Sequence, residues 1–261
     1  MTTLADTIGG DKPKGVFQHV WRVATSSGQA MLAVGIVALV LVMALLSFAA
    51  FMLDSYITAY DPLKMDIRAR LEPPNAEHWM GTDKIGRDML ARVVAGSWIS
   101  LSVSFAVLFV AAIVGTTAGL IAGYVGGIVD EIIMRITDLF LAFPALILTA
   151  AIAASFGGGM IPTTIALAAV FWPWYARLIR SRVISLKEQD FIASSRCLGS
   201  SHRQIILHSL LPMVWPLVIV QATTDVGFVI LAASGLSFLG LGAQPPTPEW
   251  GAMIFDSLTH Q

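Results

Sequence analysis

Long apolar stretches alternate with shorter polar ones along most of this chain. No charge falls between Arg22 and Asp54, and that run predicts a first span over about Gln29 to Leu53, since a helix needs roughly 20 apolar residues to cross a bilayer. A polar segment from Asp54 to Gly96 follows, carrying Pro62, Pro73 and Pro74. Charge disappears again from Val93 to Val129, which predicts a second span with a glycine-rich tail. Within it Gly115, Gly119 and Gly123 recur at every fourth position, the spacing of small residues that lets two helices approach closely. Asp130, Glu131, Arg135 and Asp138 mark a helix start leading into a third span, broken at Pro144 and ending near Phe156. A fourth span runs from about Pro162 to Arg177, and a fifth from about Met213 to Leu236.

Between the fourth and fifth spans lies a polar, basic island, Lys187 to Pro212, reading KEQDFIASSRCLGSSHRQIILHSLLP. Its residues keep helical spacing on both sides of Gly199. A chain that only had to turn around could do so in a handful of residues, so this island reads as a surface that touches something outside the membrane.

Composition agrees with the pattern. The 261 residues are 56% hydrophobic and 13% charged, about half the charge of a soluble domain, and the mean hydropathy is +0.75. The fold class is therefore all-α, a polytopic transmembrane helical bundle of five spans. The alternating segments of about ten residues expected of a membrane barrel are absent. A net charge of -1 without a dense basic tract excludes nucleic acid. The single cysteine, Cys197, excludes an internal disulfide and a thiolate metal cluster. No G-x-x-x-x-G-K-[ST] phosphate loop occurs, so any ATP that drives this protein binds other chains. The first apolar run starts late, is long and lacks a small-residue cleavage site, so it is read as a retained span rather than a secretory signal. Basic residues before the first span and in 176–212 place the N-terminus and the island in the cytoplasm. This divides the chain into a cytoplasmic N-terminal segment, 1–28, and a membrane domain, 29–261. Within the domain, 54–96 and 237–261 lie outside and 187–212 inside.

Three pieces of this sequence resemble the permease subunits of ABC importers, in particular the C-type permeases for dipeptides, oligopeptides and nickel. The island resembles their cytoplasmic coupling motif: Ala193-Ser194-Ser195 stands where a Glu-Ala-Ala triplet is usual, Gly199 at its glycine and Leu211-Pro212 at its Leu-Pro. GTDKIGRDML, from Gly81 to Leu90, is similar to the segment before their second span, and LSFLGLGAQPPTPEWG, from Leu236 to Gly251, to the segment after their fifth. The first of these departs from the pattern, because Ala193 replaces the acidic residue. Relatives often carry an acid near position 233, whereas the acid of this fifth span is Asp225. The resemblance also implies a sixth span and a cytoplasmic C-terminus beyond Gln261. It further implies a bacterial inner-membrane importer with a type I permease fold. The partners would be a homologous second permease, two ATP-binding subunits carrying ATP and Mg, and a periplasmic or lipid-anchored substrate-binding protein. No cofactor is expected on this chain.

The candidate functional residues follow, each with its alternative. Phe191, Ile192 and Leu198, with Ala193, Ser194, Ser195, Arg196 and the bend at Gly199, form a plug for a cleft on an ATPase, with Arg196 and Arg203 at its rim; the alternative is a basic loop resting on anionic lipid. Gly81, Thr82, Asp83, Gly86, Arg87 and Asp88 form either a lid or docking surface for the delivery protein, or a structural cover for the bundle. Thr82 or Asp83 would cap a helix with Ile85, Met89, Leu90 and Val93 on its apolar face, and Asp88 would pair with Arg92. Asp83 and Asp88 lack the neighbours a metal site needs. Gln221 and Asp225 are polar residues inside an apolar span. They either line the translocation path, where a peptide's amino group would be welcome, or bond internally to Thr223, Thr224 or a neighbouring helix. The rival reading is an ion-coupled secondary transporter or conducting subunit built on Asp225. Such proteins carry several midplane ionisable groups, and this chain offers one.

Overall fold

The computed structural model describes residues 27–258; the expectations for residues 1–26 and 259–261 lie outside that range. Eight helices are named in chain order. α1 is Gly28–Met52, opened by Ser27, whose side chain accepts from Ala30 N. After a polar segment holding one short 3-10 turn, Ile67–Ala69, come α2, Met89–Val125, α3, Gly127–Leu141, and α4, Ala145–Ser155. Then follow α5, Met160–Lys187, α6, Asp190–Cys197, α7, His202–Phe238, and α8, Trp250–Leu258. No strand occurs among the described residues, apart from an isolated bridge between Thr82 and Asp88.

The core forms where α2 meets α5. A Cβ on Gly115 would lie 2.4 Å from Trp172 O, one on Gly119 2.6 Å from Ala176 O, and one on Gly123 2.9 Å from Arg180 O. The small-residue stripe thus presses directly on the α5 backbone. The contacts advance in the same direction along both helices, so α2 and α5 run parallel. α7 packs on this pair through Val214, Val218, Asp225, Val229, Ala232 and Leu236, residues that share one face. The buried side chains form two clusters. One gathers Tyr175, Ile179, Val183, Ile192, Ile205 and Val214, and the other Val107, Leu108, Leu167, Val229 and Leu236.

The bundle has two distinct ends. At one, the turn after α4 meets the end of α7 through Gly159 N–H to Leu241 O (2.8 Å), and Trp250 Nε1 donates to Val93 O (3.0 Å). This end also holds the segment 54–88. At the other end lie Gly126, Lys187 and α6. The segments assigned outside therefore share one end, and the island occupies the opposite one.

Several boundaries differ from expectation. α2 begins at Met89, with Asp88 rather than Thr82 or Asp83 as its cap; Asp88 accepts from Ala91 N at 2.7 Å. Ile85 therefore lies in the turn before the helix. The break at Pro144 turns α3 and α4 by 89°, so the third crossing is a bent pair. α7 starts at His202 instead of Met213 and passes Pro212 without interruption, through a widened π turn at Ile205–Leu210. Five spans were expected. Among the described residues three helices are long and apolar enough to cross a membrane, and four if the bent pair counts as one. α5 falls short because Trp172, Pro173, Trp174, Tyr175 and Arg177 lower its hydropathy. Its length is sufficient and it runs alongside α2, so surrounding helices rather than lipid cover much of its surface.

Candidate functional site

The island is built as a projecting knob on an anchored base. Its base is fixed at three points. Lys187 Nζ donates to Gly123 O at 3.0 Å. Ile192 is fully buried among Leu186, Ile205 and Leu210. Tyr124 Oη and His202 Nδ1 lie 2.8 Å apart, and the Arg196 guanidinium sits over the Tyr124 ring at 5.6 Å. α6 ends in a tight reversal: Leu198 N–H bonds Ser194 O, and Ser200 N–H bonds Ser195 O. Gly199 adopts a φ of +80°, which a side chain would strain. Ser201 then restarts the chain with a reciprocal capping box to Gln204.

What remains exposed is Phe191, Ala193, Ser194, Arg196, Cys197, Leu198 and Gly199, with Ser195 half-buried and donating to Phe191 O. Leu198 is 86% exposed at the tip. Ile192 was expected to fill a partner's cleft; it is instead part of this chain's own core. The helical spacing after Gly199 belongs to the first turn of α7.

At the other end, the motif Gly81–Asp88 is folded in on itself. Gly81 and Gly86 both have positive φ, and Cβ atoms there would strike the backbone of Glu72 and Asp66. The Thr82 hydroxyl accepts from Glu72 N–H and donates to Ala69 O. Asp83 accepts from the backbone N–H groups of Ile85 and Arg87 and from Arg87 Nε at 2.6 Å. Burial alone would push the Asp83 carboxyl up, but those backbone bonds and the guanidinium together hold it below the usual carboxylate range. Arg87 is buried and reaches Asp256 as well. The expected Asp88–Arg92 ion pair does not form. Asp88 pairs with His78 Nδ1 at 2.8 Å, under the ring of Tyr60, while Arg92 points to Asp83 at 3.8 Å and to Pro62 O. Five of the six motif residues are buried, Asp83 being the exception, so their side chains hold the segment together.

In mid-bundle, Gln221 Nε2 donates to Asp225 Oδ1 at 2.9 Å, and Asp225 is 8% exposed within the α7 packing face. Thr223 and Thr224 bond Val220 O instead of the acid. Tyr175 of α5 is buried with its hydroxyl facing Asp225, although the two do not form a hydrogen bond of standard geometry.

Sequence reasoning missed His78, Tyr124 and the acids opposite α5. Arg180 donates to both oxygens of Asp130, and Arg177 to Asp138 at 2.6 Å. These arginines had been read only as markers of the cytoplasmic side. Their partners lie on another helix, so no local spacing could reveal them. No cluster of metal-ligating side chains occurs among the described residues.

Fold and site together define a helical membrane permease, with a projecting knob at one end of a tightly packed core. The family of binding-protein-dependent transport system inner membrane components matches residues 115–258. The chain is 40% identical over 198 residues to the nickel transport system permease protein NikC of Escherichia coli, covering 76% of this chain and 72% of that protein. It is 44% identical over 188 residues to the dipeptide transport system permease protein DppC of Alkalihalophilus pseudofirmus, covering 72% and 62%. It is 41% identical over 246 residues to the glutathione transport system permease protein GsiD of Shigella flexneri, covering 94% and 78%. A solved structure of the MetNI methionine ABC transporter in inward-facing conformations shares the fold, with a TM-score of 0.52 at 20% identity over 66% of this chain and 88% of that one. The chain belongs to this family: it is a permease subunit of an ABC importer, an inner-membrane component.

Proposed function

We propose that this subunit forms half of a translocation pathway for peptides and is driven by ATPase subunits that dock on Phe191–Gly199. The observation that carries the reading is the exposed Leu198 tip on a base anchored by Ile192, Lys187 and Tyr124. A motor can move helices through such a contact only if the loop is stiff where it meets the bundle. The Gly199 end then faces the cytoplasm, as does the N-terminus, because α1 ends at the opposite side. ATP and Mg bind two partner subunits, and a homologous permease supplies the other half of the path. A periplasmic or lipid-anchored binding protein delivers at the Gly81 end. Peptide is preferred because two of the relatives above are named for dipeptide and glutathione transport, while nickel is the alternative cargo. Gln221 and Asp225 would meet a peptide's ammonium group when the helices part.

The test is co-purification of the tagged chain with its ATP-binding subunits, comparing the unmodified protein with Gly199→Arg. An ATPase-active complex that is lost in the variant is the expected result. An unmodified chain that inserts but never retains an ATPase would overturn the reading.

A further inference from the structure

A cavity of about 400 Å³ opens between α1 and α2 at the Gly81 end, within the size range of small-molecule sites. The coupling loop and the Asp225 region do not touch it. Aromatic rings line it: Phe51 and Trp98 pack with centroids 5.0 Å apart, Phe48 packs on Trp98 at 5.7 Å, and Tyr56, Ala91 and Ala95 are part of the same lining. Asp54 is the one charged residue lining it, and among the described residues Asp54 makes no ion pair. Four of the five hydroxyls that line it, all but that of Thr247, are already engaged as donors: Ser47 to Ala95 O, Ser55 to Ala50 O, Thr58 to Tyr60 O and Tyr56 to Asp61. What the cavity offers is a carboxylate and aromatic rings, with no cation among its lining residues.

This combination suits one chemistry. A cation gains from the quadrupole of aromatic rings and from an unpaired carboxylate, while an anion would meet that carboxylate and no cationic side chain. The apolar part of the lining asks for hydrocarbon behind the charge. The chain turns sharply into the site at Asp54, whose φ of +48° swings it off the axis of α1 directly after the last apolar turn. We propose that this cavity binds a primary ammonium group carried on an apolar body. The source is either a free amine solute or the headgroup region of an aminophospholipid, since α1 and α2 are both membrane spans by length and composition.

The test uses the full chain labelled with fluorotryptophan, in nanodiscs of phosphatidylglycerol, titrated with phenethylamine and with its neutral isostere phenethyl alcohol. The fluorine resonance missing from Trp98→Phe reports the cavity. The expected result is a saturable shift with the amine, at least several-fold weaker with the alcohol, and equal for the two ligands in Asp54→Asn. Asp54 is exposed, so this variant should fold. Repeating the titration in nanodiscs containing phosphatidylethanolamine separates the sources. A several-fold weaker apparent affinity there assigns the site to the lipid, and an unchanged one to a free solute. No saturable shift, or a shift that Asp54→Asn leaves intact, overturns the proposal.

Discussion

The Arg180 guanidinium of α5 clasps the Asp130 carboxylate of α3 with both arms, at 2.5 and 2.6 Å. The bond fixes α3 against the central helix pair close to where α2 ends, before Gly126. Fork-to-carboxylate geometry is specific to arginine. Arg180→Lys is therefore expected to lose most of the coupling that a double-mutant cycle with Asp130→Ala measures, about 1 kcal/mol for a partly exposed pair. A lysine variant with full coupling would show that charge alone suffices.

Close approach of α2 and α5 makes a second prediction. Gly119→Ala places a methyl group 2.6 Å from Ala176 O and 2.9 Å from Ile179 Cβ. Backbone cannot yield as a flexible side chain does, so the helices must separate, at a cost of about 1–3 kcal/mol. Gly35→Ala on α1 meets nothing within 4 Å and should be neutral or stabilise by up to about 1 kcal/mol. Denaturant unfolding in detergent compares the two.

Ile192 and Leu198 separate folding from docking. Ile192→Ala empties a fully buried site and should cost about 2–5 kcal/mol. Leu198→Ala, at an 86% exposed position, should leave stability within about 0.5 kcal/mol while reducing retention of ATPase subunits on the affinity column. Equal stability of the two variants, or full retention of ATPase subunits by Leu198→Ala, would argue against the division.

Asp83 predicts an acid response of the segment 54–88. Its carboxyl is held below the ordinary value of 3.8, so it stabilises the folded segment above that value and loses this contribution as pH falls through the lower, folded one. Hydrogen exchange of Ile85 and Arg87 amides should quicken over that window. Asp83→Asn should remove the Asp83 share of the pH dependence, which the difference between the two profiles isolates.

The elements that sequence displayed best are those set by periodicity. Gly115, Gly119 and Gly123 announced a close helix contact, and the structure shows which backbone they touch. Gly199 announced a bend, and its positive φ follows. The rest depended on partners far along the chain. Ile192 looks like any exposed apolar residue of a short amphipathic helix until Ile205 and Leu210 fold over it. Asp88 and Arg92 have the spacing of an ion pair, yet His78 and Asp83 approach each more closely. Pro212 looked like a stop, but a π turn upstream lets the helix run through it.

The parallel course of α2 and α5 bears on biogenesis. Two helices that lie side by side and point the same way cannot form as a hairpin; the chain must travel back between them. The glycine face of α2 therefore waits without its partner while α3, the bend and α4 are made, until Tyr175 and Ile179 emerge. During synthesis that face is open to lipid or to whatever assists insertion.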